Sequence, residues 1–444
     1  MGTTRDRRFA IRSLTVCAVL AGLAGIAGCG GTNAYSYAAP AAVAVADFAG
    51  TGHPGVAIAQ AQINQLVTTE QPGYAAIILQ NPNSPGTFGS ARHFETQGNP
   101  SALAVGALTT GTLDLAVTNV NDGTVSVLLQ SSPQSTSFGP AVNLPIAPSG
   151  TGTVSPQDVA ICDVNQDGHP DIVVGYVAET TILGILSPTG GGVSLLLQSA
   201  TSPGTFVDPT IVGTSPTGTG ETYPNAVYGI ACANLSSDSG GPPDIVMASY
   251  YAYDGTNDYG TLSIFFHDPN NLGGFLPRVD IPLAGLLHRV VIADLGNGLP
   301  DILVSSESTD DNGDGISGVQ VLMNQGPGVN GEPTFAITPY PTYSALSVAV
   351  GDIHNNGLLD IVVASSEPEG TGSIEILPNT VGNAGTFGTA TVYPGLGNPT
   401  DVATGELGNN SLVDIATSDG GGAAVMSNEA SSVGSFGAAL LIGS

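Results

Sequence analysis

The chain has 444 residues, with 36 acidic side chains against seven arginines, no lysine and a formal net charge of −29. So acidic a balance repels nucleic-acid phosphates and anionic lipid headgroups, which excludes both as partners of the folded surface. Charged residues are only 10% of the chain, against about 25% in typical domains, so most of the surface must be Ser, Thr, Asn, Gln and Gly, as suits an exported protein.

The first segment reads as a targeting signal rather than part of the fold. "MGTTRDRRFAIR" carries four arginines, and "SLTVCAVLAGLAGIAG" is apolar but too short for the roughly 20 residues of a membrane span. With Ile26-Ala27-Gly28 ahead of Cys29, the pattern resembles a bacterial lipoprotein signal. That resemblance implies cleavage after residue 28, lipidation of Cys29 and a short tether over 29–36. Gly30 stands where an aspartate would imply inner-membrane retention, so the expected location is the outer membrane or cell surface. Without residues 1–28 only Arg92, Arg278 and Arg289 remain as cations.

Residues 37–444 repeat one unit seven times. The stretch "CDVNQDGHPDIVV" (162–174) recurs in degraded form, with its first loop position at Asp47, Ala107, Asp163, Asn234, Asp294, Asp352 and Glu406. The period is about 60 residues. Each unit has an inner strand of small residues ("VAVADF", "AICDV", "AVGDI"), a polar loop and an apolar strand ("DLAVT", "DIVVG", "DILVS"). An alternating strand follows, and then Phe88, Phe138, Phe206, Phe275, Phe335, Phe387 or Phe436. Four strands per unit, with small residues where inner strands converge on an axis, predict an all-β, seven-bladed β-propeller of four-stranded antiparallel blades.

At this point the chain resembles the FG-GAP or VCBS repeat family, whose blades carry D-x-[DN]-x-D-G-x-x-D loops followed by "DIVV"-type strands. The Phe-Gly pair itself stands at 88–89, 138–139, 387–388 and 436–437. The resemblance specifies fold far better than function, because the family spans integrin α-subunit heads, lectin-like modules and enzyme accessory domains.

The loops differ in their fitness for calcium, a hard cation that takes oxygen ligands. In unit three, Asp163, Asn165, Asp167, the His169 carbonyl and Asp171 supply every position, with Gly168 free to adopt positive φ. Position twelve is Val174 and the flanks read as strands, so the loop is no EF-hand. Unit six keeps Asp352, Asn356, the Leu358 carbonyl and Asp360 but puts His354 where an oxygen is wanted. The other loops are degraded and read as Asx turns, as does "DDNGDG" at 310–315. Structural Ca²⁺ is therefore expected in unit three and, more weakly, in unit six.

Cys162 and Cys232 fall on inner strands of different units and read as two small buried residues rather than a disulfide. No catalytic constellation can be assembled: the six histidines are scattered, no H-E-x-x-H or G-x-S-x-G stands in the chain, and the lack of lysine excludes Schiff-base chemistry. The expected function is a lipid-anchored binding module for a protein or carbohydrate. The alternatives are a calcium-dependent polysaccharide lyase or hydrolase and a purely structural envelope protein.

Because successive antiparallel strands reverse direction, the calcium loops and the long insertions between second and third strands should emerge on opposite faces. The insertions are expected as loops carrying the ligand surface. The unit-four insertion holds Tyr250, Tyr251, Tyr253 and Tyr259, and Tyr223, Tyr340, Tyr343 and Tyr393 are expected in the connections between blades.

Overall fold

The computed structural model describes residues 36–37, 41–63, 72–148, 152–182, 185–214, 226–236, 240–253, 258–307, 317–328, 331–366, 372–419 and 422–443. Among these residues every regular element is a strand. They form seven antiparallel sheets, each built from four strands consecutive in the chain, and the sheets are arranged as a β-propeller. The first sheet gains a fifth strand, Ser36–Tyr37, which pairs with Gln62 and Ile63, so the end of the expected tether joins the blade.

The innermost strands are Ala42–Ala46, Pro100–Gly106, Thr153–Cys162, Val227–Ala233, Leu286–Ala293, Ser344–Gly351 and Val402–Gly405. Each touches the innermost strands of the blades on either side, and this convergence explains the small residues in them. A Cβ on Gly106 would come within 2.8 Å of Ile161 in the next blade, and one on Gly405 would collide with Val45 across the seam between last and first blades. Seven hydrophobic clusters fill the spaces between blades. Each contains one of the seven recurring phenylalanines, so that aromatic is the wedge between a blade and its predecessor.

The convergence also corrects the reading of the cysteines. Cys162 and Cys232 sit near the ends of adjacent innermost strands with Cα atoms 6.5 Å apart, and they form a disulfide. Lying on different repeats, which argued against a bond, is what brings them together, because equivalent positions of consecutive blades are neighbours around the axis. The bond closes a 70-residue separation, and loop closure of that length stabilises by about 4 kcal/mol in the chain-entropy account.

A buried carboxylate organises six of the blades. Asp114, Asp171, Asp244, Asp301, Asp360 and Asp414 open the second strand, and each is fully buried. One oxygen accepts an amide of the preceding turn: Val164 to Asp171 at 2.9 Å, Leu295 to Asp301 at 2.9 Å, Leu407 to Asp414 at 2.7 Å. The other accepts the amide of a Gln, His or Asn at the end of the third strand: Gln198, Asn324 and Asn428, each at 2.7 Å. That polar residue in turn faces the recurring phenylalanine. In four blades its amide group also reaches a carbonyl of the previous blade: Gln130 to Phe48, Asn324 to Leu235, Asn379 to Leu295, Asn428 to Ile353. Blade one has Gly55 in place of the aspartate.

Asp301→Ala would leave the buried amides of Leu295 and Asn324 without acceptors. At about 1–3 kcal/mol for each unsatisfied donor, unfolding stability should fall by roughly 2–5 kcal/mol. Asp294→Ala, at an exposed position of the same turn, should cost under about 1 kcal/mol. Denaturant titration of both variants checks the pair, and equal losses would refute the clamp.

Candidate functional site

The unit-three loop is compact and closed on itself. Asp163 accepts the amides of Asp167 (3.1 Å) and Gly168 (2.8 Å), Asn165 accepts that of Asp167 (3.1 Å), and Asp167 accepts that of His169 (2.9 Å). Gly168 adopts φ +83°, as its place in the loop requires. Asp171 faces inward as the clamp, and its carboxyl is pushed up to about 6, by burial first and then by the negative charges of Asp167 and Asp163, against the pull of the Gln198 and Val164 amides.

Unit six repeats the pattern. Asp352 accepts the amides of Asn356 and Gly357, both at 2.8 Å, and Asn356 accepts that of Leu358 at 2.9 Å. The intruding His354 turns its Nδ1 to Asp360 at 2.9 Å. Among the described residues no three His, Cys, Asp or Glu side chains converge as a metal cluster. The donor chemistry of unit three, hard oxygens from Asp163, Asn165 and Asp167 on one turn, still suits calcium once those oxygens exchange backbone amides for the ion.

On the opposite face the expected loops are strands. In blade three the second and third strands run Asp171–Ile182 and Ile185–Leu196 and pair from Ile172↔Leu196 out to Ile182↔Ile185. In blade four they run Asp244–Tyr253 and Asp258–Phe265, pairing to Tyr253↔Asp258. The insertions therefore lengthen hairpins. In blade three the β-branched Thr180, Thr181 and Ile182 keep the ladder running where a loop was expected, whereas in blade four the ladder breaks register between Ser249 and Ala252 before it resumes.

Tyr250, Tyr251 and Tyr253 lie on one strand of the blade-four hairpin and Tyr259 on the other, but their side chains lie outside the described residues, as do Tyr223, the 310–315 cluster and Cys29. Two of the other tyrosines are packing residues of outer strands rather than connection residues. Tyr340 meets Phe387 edge-on at 5.2 Å and Tyr393 meets Phe436 at 5.5 Å. Tyr343 is half exposed.

Around the axis on this hairpin face lies a set of groups that sequence reasoning missed. Five residues before each loop's first position, the repeats carry Ala42, Ala102, Asp158, Gly229, Arg289, Ser347 and Asp401. Arg289 of blade five donates to Asp158 of blade three at 2.7 Å, passing Gly229 of blade four, where any Cβ would collide with the His288 carbonyl. Asp158 also accepts the amide of Ile230 in blade four at 3.0 Å. Asp401 of blade seven accepts the Ser347 hydroxyl of blade six at 2.6 Å and the Val43 amide of blade one at 2.9 Å. Burial pushes the Asp158 carboxyl upward while Arg289 pulls it back, and Asp158 holds the guanidinium charged. Arg289 lies deep in the protein but keeps 29% of its side chain accessible, as a group lining a narrow channel does. The legible signal was charge in a column of otherwise small residues.

Above this ring the hairpin-face ends of the strands bring further polar groups together. Ser155 donates to Glu179 at 2.9 Å within blade three. The Tyr228 phenol of blade four is raised above its usual range by burial and then by the charge of Glu179. Its ring meets that of His288 edge-on at 6.3 Å, and His288 Nε2 lies 3.4 Å from Glu307, both in blade five. Hydrogen bonding from His288, its charge and Ser344 of blade six hold the Glu307 carboxyl below the usual range despite burial. The arc is continuous across four blades.

Comparison with known proteins matches the FG-GAP-like repeat family to residues 108–174 and 295–363. No curated protein matches the chain. Among solved structures, BBS1N, crystallised in complex with ARL6DN, is similar at 13% identity and a TM-score of 0.47, covering 87% of this chain and 90% of that one. The exotype rhamnogalacturonan lyase YesX is similar at 12% identity and a TM-score of 0.41, covering 86% of this chain and 70% of that one.

Proposed function

We propose that this β-propeller, which matches the FG-GAP-like repeat family over residues 108–174 and 295–363, is an exported, lipid-anchored binding module whose ligand surface is the hairpin face. The observation that carries the reading is the arc from Ser155 to Ser344, where side chains of four blades meet around one end of the channel beside the lengthened hairpins of blades three and four. Residues on a rigid scaffold converge there with no blade-to-blade repetition to explain them, whereas the opposite face repeats one clamp in six blades.

A glycan array and a panel of purified envelope proteins test the assignment of the face. Tyr228→Phe with His288→Ala should weaken binding about ten-fold or more, and Gln166→Ala with Leu272→Ala, exposed on the turn face, should leave it unchanged. The reverse pattern would move the site.

In this reading calcium braces the turn face rather than touching ligand. Asp163, Asn165, Asp167 and the His169 carbonyl would hold Ca²⁺ in unit three, and Asp352, Asn356 and the Leu358 carbonyl would do so more weakly in unit six, with Asp171 and Asp360 positioned behind them. When bound, the ion neutralises carboxylates crowded on one turn. Calcium at 100 times its dissociation constant should raise unfolding stability by about 2.7 kcal/mol, and Asp167→Ala should remove most of that gain. Equal melting temperatures in EDTA and in millimolar calcium would refute it.

The anchor is proposed to reside in Cys29 alone. Cys29→Ala should leave unprocessed or soluble protein, because the membrane affinity of a lipoprotein comes from its acyl chains. Unchanged membrane fractionation of that variant would overturn the assignment.

A further inference from the structure

The arc on the hairpin face has a charge balance that restricts what can lie on it. Glu179 and Glu307 flank Tyr228 and His288, and Asp158 and Asp401 lie beneath them at the axis. On the arc itself His288 lies beside Glu307, and the arginines beyond residue 28 are committed elsewhere. Arg289 is bonded to Asp158 at 2.7 Å. Arg278 pairs with Asp280 at 2.7 Å in the outer part of blade four, and Arg92 bonds Thr136 from the outer strand of blade one. With no lysine anywhere, a ligand carboxylate or phosphate on the arc would find no uncommitted cation and would face at least two carboxylates.

The arc is well supplied for hydroxyl groups. Glu179 and Glu307 are acceptors with lone pairs to spare beyond Ser155, His288 and Ser344, and the Tyr228 phenol stays protonated at neutral pH and donates. Beside Ser344 the half-exposed Tyr343 offers a flat apolar ring with a polar tip. Acceptors and donors alternate along a row that crosses four blades, which fits an extended polyhydroxylated chain better than a compact ion.

We propose that the arc binds a carboxylate-free oligosaccharide, its hydroxyls bridging Glu179, Tyr228, His288 and Glu307, and that it rejects uronic acids. The proposal rests on the binding-module reading and names the ligand class of the same face. Glu179 and Glu307 act as positioning acceptors for sugar hydroxyls and at the same time as the charges that exclude acidic sugars.

The test is calorimetric titration of the folded protein, in calcium, with neutral gluco-, manno- and xylo-oligosaccharides and with oligogalacturonates of equal length. A neutral oligosaccharide is expected to bind, and Tyr228→Phe and Glu307→Gln should each weaken it about ten-fold. Oligogalacturonates are expected to bind at least about ten-fold more weakly, with Glu179→Gln narrowing the gap because it removes a repelling charge. Tighter binding of the galacturonates overturns the charge argument while leaving a binding module in place. Neutral-sugar binding untouched by all three variants overturns the arc as its site. If no saccharide binds but an envelope protein does, through the hairpin face, the saccharide assignment falls and the module reading stands. If neither sugars nor envelope proteins bind, both fall.

Discussion

Everything on the turn face depends on one constraint: a carboxylate with no access to water must find its hydrogen bonds inside the blade. Burying an ionised carboxylate is expensive unless strong donors surround it. The aspartate at the head of the second strand meets that demand with two backbone amides, one from the turn before it and one from the end of the third strand. In satisfying itself it fixes the turn's path and the register of the sheet together. In four blades the Gln or Asn that it orients then presents its side-chain amide to the neighbouring blade, so a local electrostatic requirement is passed from blade to blade. The same aspartate is the ninth residue of the calcium motif, which explains why the ninth position survives in loops whose other ligands have decayed.

At the axis two carboxylates do comparable work by other means. Asp158 ties blades three, four and five through Arg289 and the Ile230 amide. Asp401 ties blades six, seven and one through Ser347 and Val43. Blade two joins through Ser101, whose hydroxyl donates to the Pro156 carbonyl at 3.0 Å. Buried ion pairs seldom add net stability, but breaking one leaves an uncompensated buried charge that is strongly destabilising. These polar ties between particular blades therefore add to the packing of the hydrophobic clusters between the sheets.

How much of this was legible in the sequence followed from periodicity. The repeat, the four strands per unit, the small residues near the axis and the recurring phenylalanine are all one-dimensional patterns, and each has a direct structural cause. What escaped depended on relations between repeats. The bond between Cys162 and Cys232 needs the knowledge that equivalent positions on successive inner strands lie side by side. The pairing of Arg289 with Asp158 skips a blade and depends on a glycine between them. The insertion of blade three is longer than an ordinary turn, yet its Thr180, Thr181 and Ile182 are good strand formers and extend the ladder. Asp171 was read as a ligand from its spacing, and its full burial and second partner, Gln198, could not be seen from the loop alone.

The seam between the first and last blades has no peptide connection across it among the described residues. Among the described residues no strand is lent from one end of the chain to complete the blade at the other, since each sheet is made of consecutive segments. The seam is held by the Val43–Asp401 bond, the Thr400 hydroxyl against the Ala41 carbonyl, and a core shared by Ile58, Ile78, Leu407 and Val425. Gly443 lies against Ile78, so the last described residues abut the first blade. The closure of the ring thus rests on side-chain and backbone contacts at this seam. A gene re-cut between any two blades, with the old ends joined by a short linker, would encode the same closed ring, and the seam as it stands is the one junction that can open without stretching the backbone.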